Sequence, residues 1–142
     1  MPFGRSHCWT ACWLLLAAGC GSDADTLSPV GGKVYFKNVP LTQGTIVFSP
    51  DSRRGGHGEL ASAEIQRDGT FVLRTGDKFG AAPGWHRVTV VAVETAAKPA
   101  EGWNFAEHRT LVPVRYRDPE LSSLEFEVKP GIPNTADFHL AD

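Results

Sequence analysis

Histidine, serine and tryptophan side chains are the first places to look for chemistry in this sequence. A zinc site would need histidines, cysteines or carboxylates at short repeated spacing. His57, His86, His108 and His139 are widely and irregularly separated, so no metal or other cofactor is expected. Ser49, Ser52, Ser62, Ser122 and Ser123 supply hydroxyls, yet none sits in a glycine-flanked elbow and no histidine partner follows from spacing. The expectation is that the chain is not an enzyme. Asp68 before Gly69 lacks the further alternating oxygen ligands of a calcium loop and reads as turn chemistry. Trp85, Trp103 and Phe105 stand at or near turns and loops, where an exposed ring can stack on a sugar or on a partner's side chain. They are the candidate interaction residues, and core or loop packing is the competing reading.

Cys20 is the other reactive group. It ends the apolar run of Cys8 to Ala18, which is shorter than the roughly 20 residues that span a bilayer. With Arg5 and His7 ahead of it, the run reads as a secretory signal. Ala17, Ala18 and Gly19 lead into Cys20 and resemble the lipobox of bacterial lipoproteins, although Ala17 takes the place the family favours for Leu. The resemblance implies cleavage before Cys20 and attachment of lipid to its sulfur. An ordinary signal cut near Ala18, or an uncleaved anchor or core helix, are the alternatives. The other two cysteines, Cys8 and Cys12, would leave with the signal, so the mature chain could form no internal disulfide. A lipid on Cys20 would also remove a lone thiol from an oxidising compartment. Gly21 follows the cysteine, and the resemblance to bacterial lipoproteins implies that a residue other than Asp there directs the chain to the outer membrane, with the domain in the periplasm or outside the cell.

Removal of residues 1–19 from 142 leaves 123, the size of one domain with a single core. Only Arg5 is lost among the 14 basic and 16 acidic residues, so the mature net charge is −3 and offers no footprint for nucleic acid. Arg53–Arg54 reads as solvated loop. Residues 20–29, small and acidic but for Leu27, read as a flexible tether, and the domain is expected over 30–142.

The elements that must position these side chains alternate with a period of two, closed by Gly, Pro, Asn or Asp. Val30, Val34 and Phe36 share one face, as do Ile46 and Phe48. "DSRRGGHGEL" from Asp51 reads as an exposed loop. Asp68–Gly69 predicts a β-hairpin whose return strand turns Phe71 and Leu73 inward. His86 to Val93 predicts a central strand covered on both faces over Val90 to Val93. "ETAAKPAEGWNFAEHRT" predicts a crossover or excursion. In "LVPVRY", Val112, Val114 and Tyr116 predict a strand at a sheet edge, because Pro113 has no N–H to donate. Leu124, Phe126 and Val128 point inward in the most regular alternation of the chain, followed by Phe138 and Leu140. The fold class is therefore all-β, an antiparallel β-sandwich of about seven strands.

"VGGKVYFKNVPLTQGTIVFSP", "IQRDGTFVL", "GAAPGWHRVTVV", "VPVRYRDPELSSLEFEVKPG" and "DFHL", in that order, resemble the carboxypeptidase regulatory-like, or transthyretin-like, β-sandwich domains of small bacterial lipoproteins. The resemblance covers Val30 to Leu140 and rests on scaffold positions. Gly32 and Gly44 mark close backbone approaches, and Pro83–Gly84 turns the chain into the central strand. It brings no catalytic residues. The histidine and arginine signature and the C-terminal tetrapeptide of a purine-pathway hydrolase of this fold group are missing from the sequence.

Two functions follow as expectations. One is a membrane-anchored envelope lipoprotein with a non-catalytic structural or protein-interaction sandwich. The alternative is a ligand- or carbohydrate-binding module that uses loop aromatics. Partners are then the membrane, through the N-terminal lipid, and an envelope protein or glycan. The loops Arg53 to Leu60 and Ala100 to His108 are the expected contact surface.

Overall fold

The computed structural model describes residues 26–95 and 108–142. Cys20, Trp103 and Phe105, with the signal peptide, most of the tether and most of the excursion, lie outside the described residues.

The strands in chain order are β1 Val30–Phe36, β2 Val39–Pro40, β3 Thr45–Pro50, β4 Ala61–Glu64, β5 Thr70–Val72, β6 Arg74–Thr75, β7 Lys78–Phe79, β8 Gly84–Val91, β9 Val93–Thr95, β10 His108–Thr110, β11 Leu124–Val128, β12 Asn134–Thr135 and β13 Phe138–Leu140. The larger sheet runs β11-β8-β3-β4-β6-β7, and the smaller is built around β1, which pairs with β2, β5, β12 and β13. Strands β9 and β10 form a separate ribbon. The chain is an all-β sandwich. Among the described residues seven strands make up the body of the two sheets, β1, β3, β4, β8, β11 and the interrupted pairs β5–β6 and β12–β13; β2 and β7 are two-residue additions, and β9 and β10 lie outside the sheets.

Two pairings depart from the antiparallel expectation: β12 and β13 both lie parallel to β1. They follow β11 of the opposite sheet, so the chain crosses over instead of returning through a hairpin. Gly32 makes this possible, since a Cβ there would come within 2.0 Å of the Ala136 carbonyl oxygen. Gly44 is confined likewise, with φ of +137° and the Val91 carbonyl oxygen 2.7 Å from a notional Cβ.

Between the sheets Phe48 is fully buried. Its ring meets Phe71 of β5, Phe126 of β11 and Phe138 of β13 at centroid distances of 6.3, 5.9 and 5.9 Å. The Phe126 and Phe138 contacts are edge-on, an arrangement that adds to simple area burial. Val30, Val34, Ile46, Leu73, Val88 and Val90 complete the core. Strand β8 is central, between β3 and β11, but the cover expected on both faces over Val90 to Val93 is corrected: Val90 and Ala92 are buried while Val91 and Val93 are half-buried, and β8 ends at Val91 before the chain enters the β9–β10 ribbon. Phe126 is only half-buried because β11 is the sheet edge.

The turn at Asp68–Gly69 closes through Gly69 N–H to Gln66 O at 2.8 Å, with Gly69 at φ +85°. The Asp68 carboxylate accepts from the Thr70 hydroxyl and amide, which hold it below the usual carboxylate range. The hairpin expected from this turn is corrected: β5 pairs with β1 of the other sheet and not with β4, which the chain meets only at Arg74 of β6. Phe71 and Leu73 face the core as expected.

Two further expectations are corrected. Val114–Arg117 is a 3-10 turn, with Val112 and Tyr116 buried and Val114 64% exposed. A spacing of four suits one helical turn as well as one strand face, and Pro113 favours the turn by withholding a donor. Packing also starts before Val30. Ser28, expected in the tether, is buried, bridges Ala81 and accepts from Gly131 N–H at its hydroxyl, 3.1 Å away. Pro29 is tied as well, its carbonyl accepting from Asn134 N–H at 2.8 Å.

Candidate interaction surface

The loop after β3 is where the structure gathers charge. Asp51 stands at the N-terminal cap of the 3-10 turn Ser52–Arg54, its Oδ1 accepting from Arg53 N–H at 3.1 Å. This is the capping chemistry favoured by an Asp ahead of a helical turn. Gly55, at φ +77°, ends the turn. Gly56 then passes so close to β8 that a Cβ would lie 2.3 Å from the Trp85 carbonyl oxygen. Asp51 N–H donates to that same oxygen at 2.8 Å. The loop is therefore clasped to the strand, and Asp51 is 5% exposed, not the solvated residue its surroundings in sequence imply.

Arg87 of β8 donates from Nε to Asp51 Oδ2 at 3.2 Å and from Nη1 to the Pro119 carbonyl at 3.1 Å. Its Nη1 also lies 2.9 Å from Glu120, which takes a two-pronged bond from Arg53 at 2.8 and 3.1 Å. Glu120 is presented by a turn that Asp118 organises, its Oδ1 accepting from Glu120 N–H at 2.7 Å. Arg54 donates to Glu125 of β11 at 2.5 Å and lays its guanidinium on the Trp85 ring, 3.3 Å from the centroid. Such a stack contributes about 1 kcal/mol at a half-exposed site. Three arginines thus face three carboxylates. Burial pushes the Asp51 carboxyl up, but the Arg53 amide and the Arg87 guanidinium outweigh it and hold the group below the ordinary carboxylate range. The Glu120 carboxylate raises the Arg53 guanidinium in turn.

Of the sequence candidates within the described residues, Trp85 joins this cluster, half-buried with a ring face under Arg54. The histidines are not brought together. His57 is exposed beside Gly55, His108 lies on β10, and His139 stacks flat on Tyr35 with centroids 4.6 Å apart. Among the described residues no group of three His, Cys, Asp or Glu side chains could hold a metal ion. Ser122 is buried and donates to the Val88 carbonyl at 2.7 Å, a structural role.

His86 behaves unlike the rest. It is fully buried on the inner face, with Nδ1 donating to Gly84 O at 3.0 Å and its ring 6.0 Å from Phe48. Among the described residues its Nε2 meets no partner. Burial lowers its proton affinity, partly opposed by the Gly84 carbonyl and assisted by His57.

No family model matches the sequence, and no curated protein matches it. Among solved structures, a 9R-lipoxygenase from Cyanothece PCC8801 is similar over 82% of this chain and 16% of that chain, at 16% identity and a TM-score of 0.39. This chain thus spans about a sixth of that protein's length.

Asp51, Glu120 and Glu125 were not among the sequence candidates. One local signal was available for Asp51: a capping residue directly after Pro50 and ahead of Arg53. Nothing in the spacing of Glu120 or Glu125 links them to residues some 70 positions earlier.

Proposed function

We propose that the chain is an envelope lipoprotein, lipidated at Cys20 and held at the outer membrane, whose transthyretin-like sandwich is a non-catalytic protein-interaction module. The observation that carries the interaction reading is the pre-arranged surface of Arg53, Arg54, Trp85 and Glu120. Arginine and tryptophan dominate binding energy at protein interfaces. Here their side chains are already fixed by neighbours, which reduces the entropy lost when a partner docks. The Arg54 stack favours a protein over a sugar, because a ring face of Trp85 that a sugar would need is covered.

Capture of partners from native membranes with the tagged, lipidated chain tests the module. If it recovers no protein while a glycan array gives a reproducible hit, the carbohydrate-binding alternative takes precedence. The anchor is tested apart from the partner. Intact mass should place the mature N-terminus at Cys20 with added acyl mass, and Cys20→Ser should release the domain from membranes. An unmodified N-terminus at another residue contradicts the lipid anchor.

A further inference from the structure

The chain enters the fold at one end of the sandwich, where Ser28 bridges Ala81 and receives Gly131 N–H. Leu27 lines an open groove there with Gly58, Glu59, Thr75–Lys78 and Ala82. Three large apolar side chains project from the segments gathered at this end: Leu60 at 57%, Phe79 at 65% and Ile132 at 53% exposed. Phe79, on the edge strand β7, carries the Arg74 guanidinium 4.4 Å from its ring centroid. An aromatic ring with a cation beside it is a common arrangement at the level of lipid headgroups.

We infer that this end, with Phe79 among its exposed side chains, rests on the phospholipid bilayer that holds the lipid of Cys20. The inference builds on the lipoprotein reading above. Because Ser28 is fixed, only eight residue steps separate the anchor from the fold, a reach of at most about 28 Å. A domain of this size is roughly 35 Å across, so the tether keeps the end that bears Ser28 close to the headgroups. Tethering raises the effective concentration of that end at the surface to the millimolar range, where even weak adhesion becomes persistent contact. Arg74 and Lys78 are offset by Glu59 and Asp77 in the same region. Adhesion therefore rests on the apolar side chains and persists on zwitterionic lipid and at raised salt.

Dye labels at Asp77→Cys, at the Phe79 end, and at Val39→Cys, at the far end of β1, read the orientation. Two preparations are used: the lipidated chain in phosphatidylcholine vesicles, and residues 21–142 with an N-terminal hexahistidine on vesicles containing nickel-chelating lipid. Every described contact lies within the second preparation. Brominated phosphatidylcholine should quench position 77 at least threefold more than position 39 in both. Phe79→Ser should abolish most of that difference while leaving the unfolding midpoint in place. Equal quenching at both positions, stronger quenching at 39, or no effect of Phe79→Ser overturns the inference. If the native chain carries no lipid, the lipoprotein reading fails by itself, and the nickel-lipid vesicles still decide which end adheres.

Discussion

On β8, His86 and Val88 turn inward onto the shell of aromatic rings around Phe48, while Trp85 and Arg87 turn outward onto Arg54 and Asp51. The two environments are one residue apart along the same strand. The inner one is held by area: Phe48, Phe71, Phe126 and Phe138 come from four strands of both sheets and need only the correct face. The outer one is held by pairing, each charge requiring a particular partner at a particular distance. The difference teaches that alternation assigns a residue to a face, while partners on the polar face are delivered by loops whose course alternation does not describe.

The comparison can be broken first from the inside. Phe48→Ala should cost about 3–5 kcal/mol, as aromatic truncations in packed cores do, which is much of the stability of a small domain. Urea unfolding measures it. Phe126→Ala, on the half-buried edge strand, should cost less, about 2 kcal/mol. Its outward neighbour Glu127→Ala should change stability by less than about 0.5 kcal/mol. Equal losses at 126 and 127 would mean that the register of β11 against β8 is wrong.

The strands were legible because their inner faces are written in period two: Ile46 and Phe48, Phe71 and Leu73, Phe138 and Leu140 all bury as read. Gly32 and Gly44 were legible too, the first as a glycine inside a strand pattern, which marks a close backbone approach, and the second as the glycine that closes the turn before β3. Three features escaped. The Val112–Tyr116 spacing is ambiguous between strand and turn. The parallel course of β12 and β13 depends on a crossover that leaves no local mark. The partners of Asp51 and Arg53 lie in distant turns, and one of those turns is shaped by Asp118, a residue with no apparent chemistry of its own in the sequence.

His86 sharpens the comparison by pH, as a polar group on the apolar side. Burial holds its folded pKa below the ordinary 6.5, so the unfolded chain takes up a proton at a higher pH than the folded one. Stability should fall as pH drops below about 6.5 and level off once the folded imidazole is also protonated. The depressed carboxyls of Asp51 and Asp68 act only as pH falls through the region of 3.8 and below, which leaves the two effects separable. Thermal unfolding between pH 7.5 and 5.5 should show a smaller slope in His86→Phe than in the wild type. An unchanged slope would mean that the buried imidazole is not what responds.

The most direct test of the account is capture from native membranes by the wild type and by a double variant, Arg53→Ala with Arg54→Ala. Both side chains are substantially exposed, at 59% and 39%, so their removal should leave the aromatic core in place and lower stability by only about 1–2 kcal/mol, the worth of the Trp85 stack and the exposed ion pairs. If the outer face is the working surface, recovery of the partner should fall at least tenfold with the fold intact. Undiminished recovery by the folded variant would contradict it.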